Sequence, residues 1–536
     1  MAVSISSLGG VSCRSYLPLH TPLFRFRIRI RKLRLTLIAL GQTLRQTHSP
    51  PNVHINYSSL RTPFTESADN DSKLPNWKRF SSNELGISNF MIPRPTRKVL
   101  NGLKKKGYEV YLVGGCVRDL ILNRTPKDFD IITSAELKEV SRTFSWCEIV
   151  GRRFPICHVH IDDTIVEVSS FSTASRPIDR HLNCALEKPE NCEEEDYVRW
   201  KNCLQRDFTI NGLMFDPYNS IVYDYLGGME DIRRAKVQTV VPAHSSFQED
   251  CARILRAIRV AARLGFHISK DTARSIKKLS CLVSRLKGRL LMEMNYMLSY
   301  GSAEASLRLL WKYGLLEILL PIQAAYFIQC GFRRSDKRSN MLLSLFSSLD
   351  KLLAPNRPCH CSLWVAVLAF HAALSDQPRS PLVVAAFSLA VHNGGNMIEA
   401  ISIARNINRE HNVQFHELLE PDDLDVQALI DEVMDLTTSV KDALLKMTDE
   451  NSVSLALEMY PQAPASDLVF IPFTVYLKVC KVFECVVHGA ERGFAPKRGN
   501  INYESLALGN LLELRHVFAR IVFDTIYPLN LNHTQV

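Results

Sequence analysis

The chain has 536 residues, 46% of them hydrophobic and 22% charged, a balance that suits a globular protein with buried cores and excludes wholesale disorder. With only 23 Gly and 25 Pro, the collagen-like and low-complexity classes are also out. The formal charge of +10 is concentrated at one end: residues 1–65 hold eight Arg, one Lys and no acidic residue, which leaves 56 basic and 55 acidic residues in the rest. Contact with a nucleic acid would therefore depend on local basic patches rather than on bulk charge. At about 150 residues per domain, the length predicts three or four domains.

In chain order, residues 1–65 have the acid-free, Ser- and Arg-rich composition of an organellar transit peptide. The uncharged opening MAVSISSLGGVS suits a plastid, with a mitochondrion as the alternative because FRFRIRIRKLRL is Arg-rich and amphiphilic. Residues 66–90 are polar and read as a linker. From 91 to 220 short β-rich runs alternate with helical ones: Tyr108–Val113, Phe129–Thr133, Cys157–Ile161 and Ile165–Ser169 predict strands, and Leu120–Leu122 and Ala135–Phe144 predict helix. Beyond Phe247 the periodicity is helical, with a neck over 221–320, a body over 321–375 and a C-terminal region of unassigned role over 376–536; the clearest late loop falls within 375–390. The expected fold is α+β: a head built on a small mixed sheet with helices, followed by an all-α neck and body. No stretch is long and apolar enough to predict a membrane span. The 14 cysteines include no CxxC pair, which points to reduced thiols and not to a disulfide scaffold.

Chemistry concentrates in the head. In YLVGGCVRDLILNRTPKDFDIIT a predicted strand runs into Gly114-Gly115 and a helix opens near Cys116. Glycine lets a ligand approach the backbone, and a helix start presents free N–H groups to an anion. With Arg118 one turn on, the segment reads as a triphosphate cradle; it is not a Walker loop, since GxxxxGK[ST] is absent. Asp128 and Asp130 are two residues apart in a predicted strand and so share a face. Such a pair calls for a cation, and Mg²⁺ binds through one or two carboxylates plus substrate phosphates. Glu167, on another predicted strand, is the candidate third carboxylate; three carboxylates on adjacent strands could hold two metals. In LQRDFTINGLMFDP, Arg206 can contact phosphate or ribose, Asp207 a ribose hydroxyl or the arginine, and Asn211 the nucleotide. On a helical wheel, residues 249–266 put Ile254, Leu255, Ile258, Ala261 and Ala262 in one sector and Arg253, Arg256, Arg259 and Arg263 in another.

The order GGxVRD, DxD, RDFTIN, ED-x-x-R resembles the class II nucleotidyltransferase family, which comprises tRNA CCA-adding enzymes and bacterial-type poly(A) polymerases. The resemblance covers residues 91 to about 321. It implies that Gly114, Gly115, Arg118, Asp119, Arg206, Asp207 and Asn211 hold the nucleotide, and that Asp128, Asp130 and Glu167 bind catalytic Mg²⁺, with Mn²⁺ as a possible substitute. It further implies that Asp250 and Arg253, with Glu249 orienting the arginine and Arg256 nearby, read the base of the incoming nucleotide without a template. Two positions depart from the family pattern: Gln205 replaces the first Arg of RRDF, and Ser172 stands where an Arg is usual.

The stretch IVGRRFPICHVHI, residues 149–161, resembles poly(A) polymerases more than CCA-adding enzymes. Arg152 and Arg153 in it could grip triphosphate or RNA phosphate. The expected activity is ATP-dependent addition of AMP to RNA 3′ ends, with tRNA CCA addition as the alternative and a catalytically weak RNA-binding protein as a second. The expected partners are ATP and an RNA 3′ end, with no membrane.

Overall fold

The computed structural model describes residues 77–151, 155–174, 188, 192–420, 424–448, 472–490 and 493–528. The expected transit segment and Arg152 and Arg153 lie outside the described residues. Residues Asn76–Ile161 and Ile165–Val536 belong to one unit, the one that carries the site.

The head is an eight-stranded mixed sheet. Its strands are β1 (Lys78–Ser81), β2 (Val110–Val113), β3 (Asp130–Thr133), β4 (Cys147–Val150), β5 (Ile156–Ile161), β6 (Thr164–Ser170), β7 (Leu213–Asp216) and β8 (Ile221–Asp224). They lie side by side as β1-β8-β7-β2-β3-β6-β5-β4. The four expected strands all form, each within two residues of the expected bounds. Two expected boundaries do not hold. The polar 66–90 stretch contains β1, which pairs antiparallel with β8, Lys78 opposite Asp224, so the sheet reaches into the expected linker. The 220/221 division cuts the β7–β8 hairpin, whose strands pair from Leu213↔Asp224 to Asp216↔Ile221.

The central strands are buried on both faces. Val110, Leu112, Ile131 and Val168 join the main core with helices α1 (Arg94–Lys105), α2 (Gly115–Ile121) and α3 (Leu137–Thr143). Tyr111, Val113, Ile132, Met214 and Tyr223 form a second cluster with Cys203 and Trp200 of helix α4 (Glu194–Cys203). This period-two division is what a strand's alternating side chains require of a sheet covered on both sides.

A buried arginine fastens α4 to that second face. Arg199 donates from Nε to the Tyr225 hydroxyl, from Nη1 to the Tyr111 hydroxyl and from Nη2 to Asp196 Oδ1, each at 2.8 Å. Its guanidinium also lies 4.7 Å from the Tyr223 ring centroid. Arg79 of β1 reaches the other oxygen of Asp196 at 2.6 Å. Burial works against the Asp196 carboxylate, but hydrogen bonds from Tyr225, Arg199 and Arg79 outweigh it and hold its pKa below the usual range.

Below the head follow α5 (Gly228–Arg233), α6 (Ala243–Glu249), α7 (Ala252–Leu264), α8 (Lys270–Leu279) and α9 (Leu290–Leu298), then helices running to Leu511–Ile526. The late loop is shorter than 375–390, because Ser380 caps a helix that runs Pro381–His392 with proline in its first turn. The expected 375/376 division falls inside the helix Cys361–Asp376. Phe370 of that helix packs 5.8 Å from Phe387 and 5.5 Å from Phe518, so body and C-terminal region share one core. No helix among the described residues is long and apolar enough to cross a membrane.

Arg199→Met should strip the central partner from a buried carboxylate and destabilise the fold by about 3–5 kcal/mol. Urea unfolding followed by circular dichroism checks this; a change under about 1 kcal/mol would mean that the α4 tie carries little of the fold's stability.

Candidate nucleotide-binding site

Strand β2 ends at Val113, opposite Asp130 of β3, and the chain turns sharply at Gly114, whose φ of +81° and ψ of −139° suit glycine alone. A Cβ there would lie 3.1 Å from Arg206 Nη1 and 3.8 Å from Asp130 Oδ2. Three sequence-predicted residues thus converge on one point, where a side chain would crowd the space between a carboxylate and a guanidinium. Cys116, just beyond, is no nucleophile: burial pushes its thiol up to about 12, and its Sγ donates to the Val113 carbonyl.

Asp130 opens β3, while Asp128 lies two residues before it in irregular backbone rather than in the expected strand. Phe129 and Ile131 face the main core, so Asp130 between them faces the opposite side. Glu167 is on β6, which runs parallel to β3 with Val168 beside Ile131. The register brings Glu167 next to Asp130 as expected, but its Oε1 lies 4.0 Å from His158 Nε2. Among the described residues no three His, Cys, Asp or Glu side chains gather closely enough to hold a metal ion, so the expected three-carboxylate set is not assembled. The Glu167 carboxylate lies toward His158 instead. The partly open Asp128 and Asp130 suit Mg²⁺ in kind, being oxygen donors that substrate phosphates would complete.

The remaining head residues bind one another in series. Arg118, only 6% exposed, donates from Nε and Nη2 to Asp119 Oδ1 (2.8 and 2.7 Å) and from Nη1 to Asn211 Oδ1 (2.6 Å). Asn211 Nδ2 donates to Asp207 Oδ1 (2.9 Å), which also accepts from the Phe208 amide (2.8 Å). Asp207 Oδ2 accepts from Arg256 Nη1 of α7 (3.1 Å). Gly115 contacts the same series, a Cβ there lying 3.5 Å from Arg118 Nη2.

The expected continuous helix over 249–266 is broken. Glu249 ends α6, Asp250 is extended (φ −142°, ψ 99°), and α7 starts at Ala252. Asp250 Oδ1 accepts from the Ala252 amide (3.2 Å), one residue ahead of the N-cap Cys251, and so satisfies a helix-start N–H that has no partner within the helix. The apolar sector over Ile254, Leu255, Ile258, Ala261 and Ala262 is buried as expected. Arg253 is held from Nη1 by Glu249 Oε2 (2.8 Å) and by the Ser246 hydroxyl (3.0 Å) and carbonyl (3.3 Å), with its Nη2 3.5 Å from the Gln205 carbonyl. Ser246 went unnoticed in the sequence because nothing in its neighbourhood marks it. Gln205 contributes a main-chain oxygen where the family pattern has a cationic side chain, and Ser172, at the other departure, pairs with Ser170 at 2.8 Å.

Burial disfavours the charged form of Asp207, yet Arg256, Asn211 and the Phe208 amide together hold its pKa below the usual range. A depressed folded pKa contributes stability that is complete above the unfolded value near 3.9 and is lost as the pH falls toward the folded value. Asp207→Asn should therefore be less stable at neutral pH and lose less on acidification below about pH 4 than the unmodified chain. Urea midpoints taken from neutral pH to about pH 3 check this, and parallel curves would contradict it.

Comparison with known proteins finds relatives along the head and neck. Residues 110–238 match the poly A polymerase head domain, and residues 265–327 match the probable RNA and SrmB-binding site of polymerase A. Over 287 residues the chain is 33% identical to poly(A) polymerase I of Haemophilus influenzae, covering 52% of this chain and 63% of that protein. Over 227 residues it is 36% identical to the CCA-adding enzyme of Geobacillus kaustophilus, covering 41% and 53%. The chain thus spans between half and two thirds of the length of these relatives. A crystal structure of the Bacillus stearothermophilus CCA-adding enzyme in complex with CTP aligns at 23% identity and a TM-score of 0.39, over 69% of this chain and 82% of that one. In its motifs, and in the order of head and neck, the chain is similar to poly(A) polymerases and CCA-adding enzymes of the class II nucleotidyltransferase family.

Proposed function

We propose that this chain is a template-independent polynucleotide adenylyltransferase, adding AMP from ATP to RNA 3′ ends with release of pyrophosphate. The observation that carries the reading is the convergence of Asp130 and Arg206 on the side-chain-free turn at Gly114. A triphosphate seated over Gly114 would meet the Arg206 guanidinium on one side and the carboxylates on the other. Asp128 and Asp130 would hold Mg²⁺, which when bound neutralises phosphate charge and polarises the reacting oxygens. The RNA 3′ oxygen bonds to the α-phosphorus as the bond to pyrophosphate breaks, and Arg206 stabilises charge on the phosphate oxygens. Asp250 and Arg253 would face the base: adenine offers a donor at its exocyclic amine and an acceptor ring nitrogen, complementary to a carboxylate beside a guanidinium. Glu249 and Ser246 hold Arg253 in place for this.

Adenylation is favoured over CCA addition by the likeness to poly(A) polymerase I, which extends over 52% of the chain against 41% for the CCA-adding relative, and by the GRRF stretch with Arg152 and Arg153. The CCA-adding likeness, at 36% identity, keeps tRNA CCA addition as the second reading. The acid-free residues 1–65 support import into an organelle, a plastid before a mitochondrion.

Purified protein with Mg²⁺, labelled RNA and each NTP alone should give a long ladder from ATP only. Addition of C residues followed by one A would establish the CCA reading instead, and no extension would overturn both. Asp128→Ala or Asp130→Ala should abolish incorporation with an unchanged thermal melt. Asp250→Ala and Arg253→Ala should lower discrimination for ATP by roughly ten- to a hundredfold, the cost of leaving one polar partner unsatisfied. If these variants melt early and keep the same NTP ranking, the base-reading role fails. A fluorescent protein fused behind residues 1–65 should enter plastids; cytosolic fluorescence would refute the import reading.

A further inference from the structure

The loop that carries Asp128 is fastened to helices outside the head sheet. Arg124 donates from Nη1 to the Arg263 carbonyl of α7 (2.9 Å). The Lys127 ammonium, one residue before Asp128, lies 5.1 Å from the Tyr296 ring centroid and 4.9 Å from that of Tyr300. Both tyrosines are on or beside α9, one helical turn apart, with rings 5.6 Å apart. From α7, also one turn apart, Arg259 lies 5.0 Å from Tyr296 and Arg263 lies 5.8 Å from Tyr300. Three cations and two rings thus form a ladder in which Lys127 is the rung belonging to the Asp128 loop.

Ring faces are negative and attract cations, more strongly where water is excluded. Tyr300 is only 4% exposed. The rings therefore stabilise a cluster of like charges that would otherwise repel; burial, followed by the neighbouring Arg259, lowers the pKa of Arg263. The same attraction restrains the loop, because moving Lys127 off the rings uncovers the aromatic faces that its ammonium rests on.

We propose that Lys127 is a positioning residue: by resting on Tyr296 and Tyr300 it sets where Asp128 stands, and so ties the metal-holding loop to the neck. The inference rests on the assignment of Asp128 and Asp130 as metal carboxylates. Its test uses the full chain and reads two quantities apart from turnover: backbone hydrogen exchange over residues 122–130, and Mn²⁺ affinity by electron paramagnetic resonance.

Lys127→Gln should speed exchange in that segment and weaken Mn²⁺ binding about tenfold, the loss expected from two cation–ring contacts, with no change in melting temperature. Lys127→Arg, and Tyr296→Phe with Tyr300→Phe, keep the charge or the rings and should stay near the unmodified values. Tyr296→Leu with Tyr300→Leu should repeat the Lys127→Gln effect. Unchanged exchange and Mn²⁺ affinity in Lys127→Gln would overturn the proposal, as would faster exchange throughout the protein with an early melt. Failure of the unmodified chain to extend RNA would count against the adenylyltransferase reading and leave the exchange measurement readable.

Discussion

The site depends on one buried carboxylate. Asp207 accepts from its own chain at Phe208, from Asn211, and from Arg256 of the first long neck helix. Through Asn211 it reaches Arg118 and Asp119 behind the Gly114 turn. A charge in that position is costly unless its lone pairs are filled. Filling them requires the RDFTIN segment, the helix after Gly114-Gly115 and α7 to hold a fixed relation. The Gly114 turn and the Asp250–Arg253 pair are thereby carried on one braced frame, the kind of precision that positioning a ligand demands.

Charge is handled differently on the two sides of this frame. On the second face of the sheet Arg199 is satisfied by Asp196 and two tyrosine hydroxyls. Near the Asp128 loop, Lys127, Arg259 and Arg263 rest on tyrosine rings, with Glu293 also paired to Arg259. The first arrangement fixes a helix to a sheet. The second keeps positive charge beside the place where a polyanionic substrate would arrive, and ring faces compete with phosphate far less than carboxylates would.

The sequence made the head legible because its signals are local and short-ranged. Gly114 needs a backbone that only glycine adopts, Asp128 and Asp130 are two residues apart, and the apolar stripe from Ile254 to Ala262 has helical period. The motif order was legible too, and it carries the resemblance to the class II nucleotidyltransferases. Features that depend on partners distant in the chain were not. β1 lies in a polar stretch because edge strands need few apolar residues, and its pairing with β8 joins residues 78 and 224. The break at Asp250 is hidden because the helical wheel continues smoothly through it, while the aspartate accepts from the Ala252 amide. Glu167 reached its expected strand, yet its carboxylate lies 4.0 Å from His158, a partner set by the β5–β6 neighbours rather than by any local motif. The i, i+4 spacing of Arg259 with Arg263 was visible, but not that the pair faces Tyr296 and Tyr300.

The brace at Asp207 is tested most directly by a double-mutant cycle on unfolding free energy with Asp207→Asn, Arg256→Gln and the pair. The account predicts a coupling of about 1–3 kcal/mol, because the carboxylate and the guanidinium share one buried contact on which the frame depends. Additivity within about 0.5 kcal/mol would show that head and neck are held in register by something else, and would contradict it.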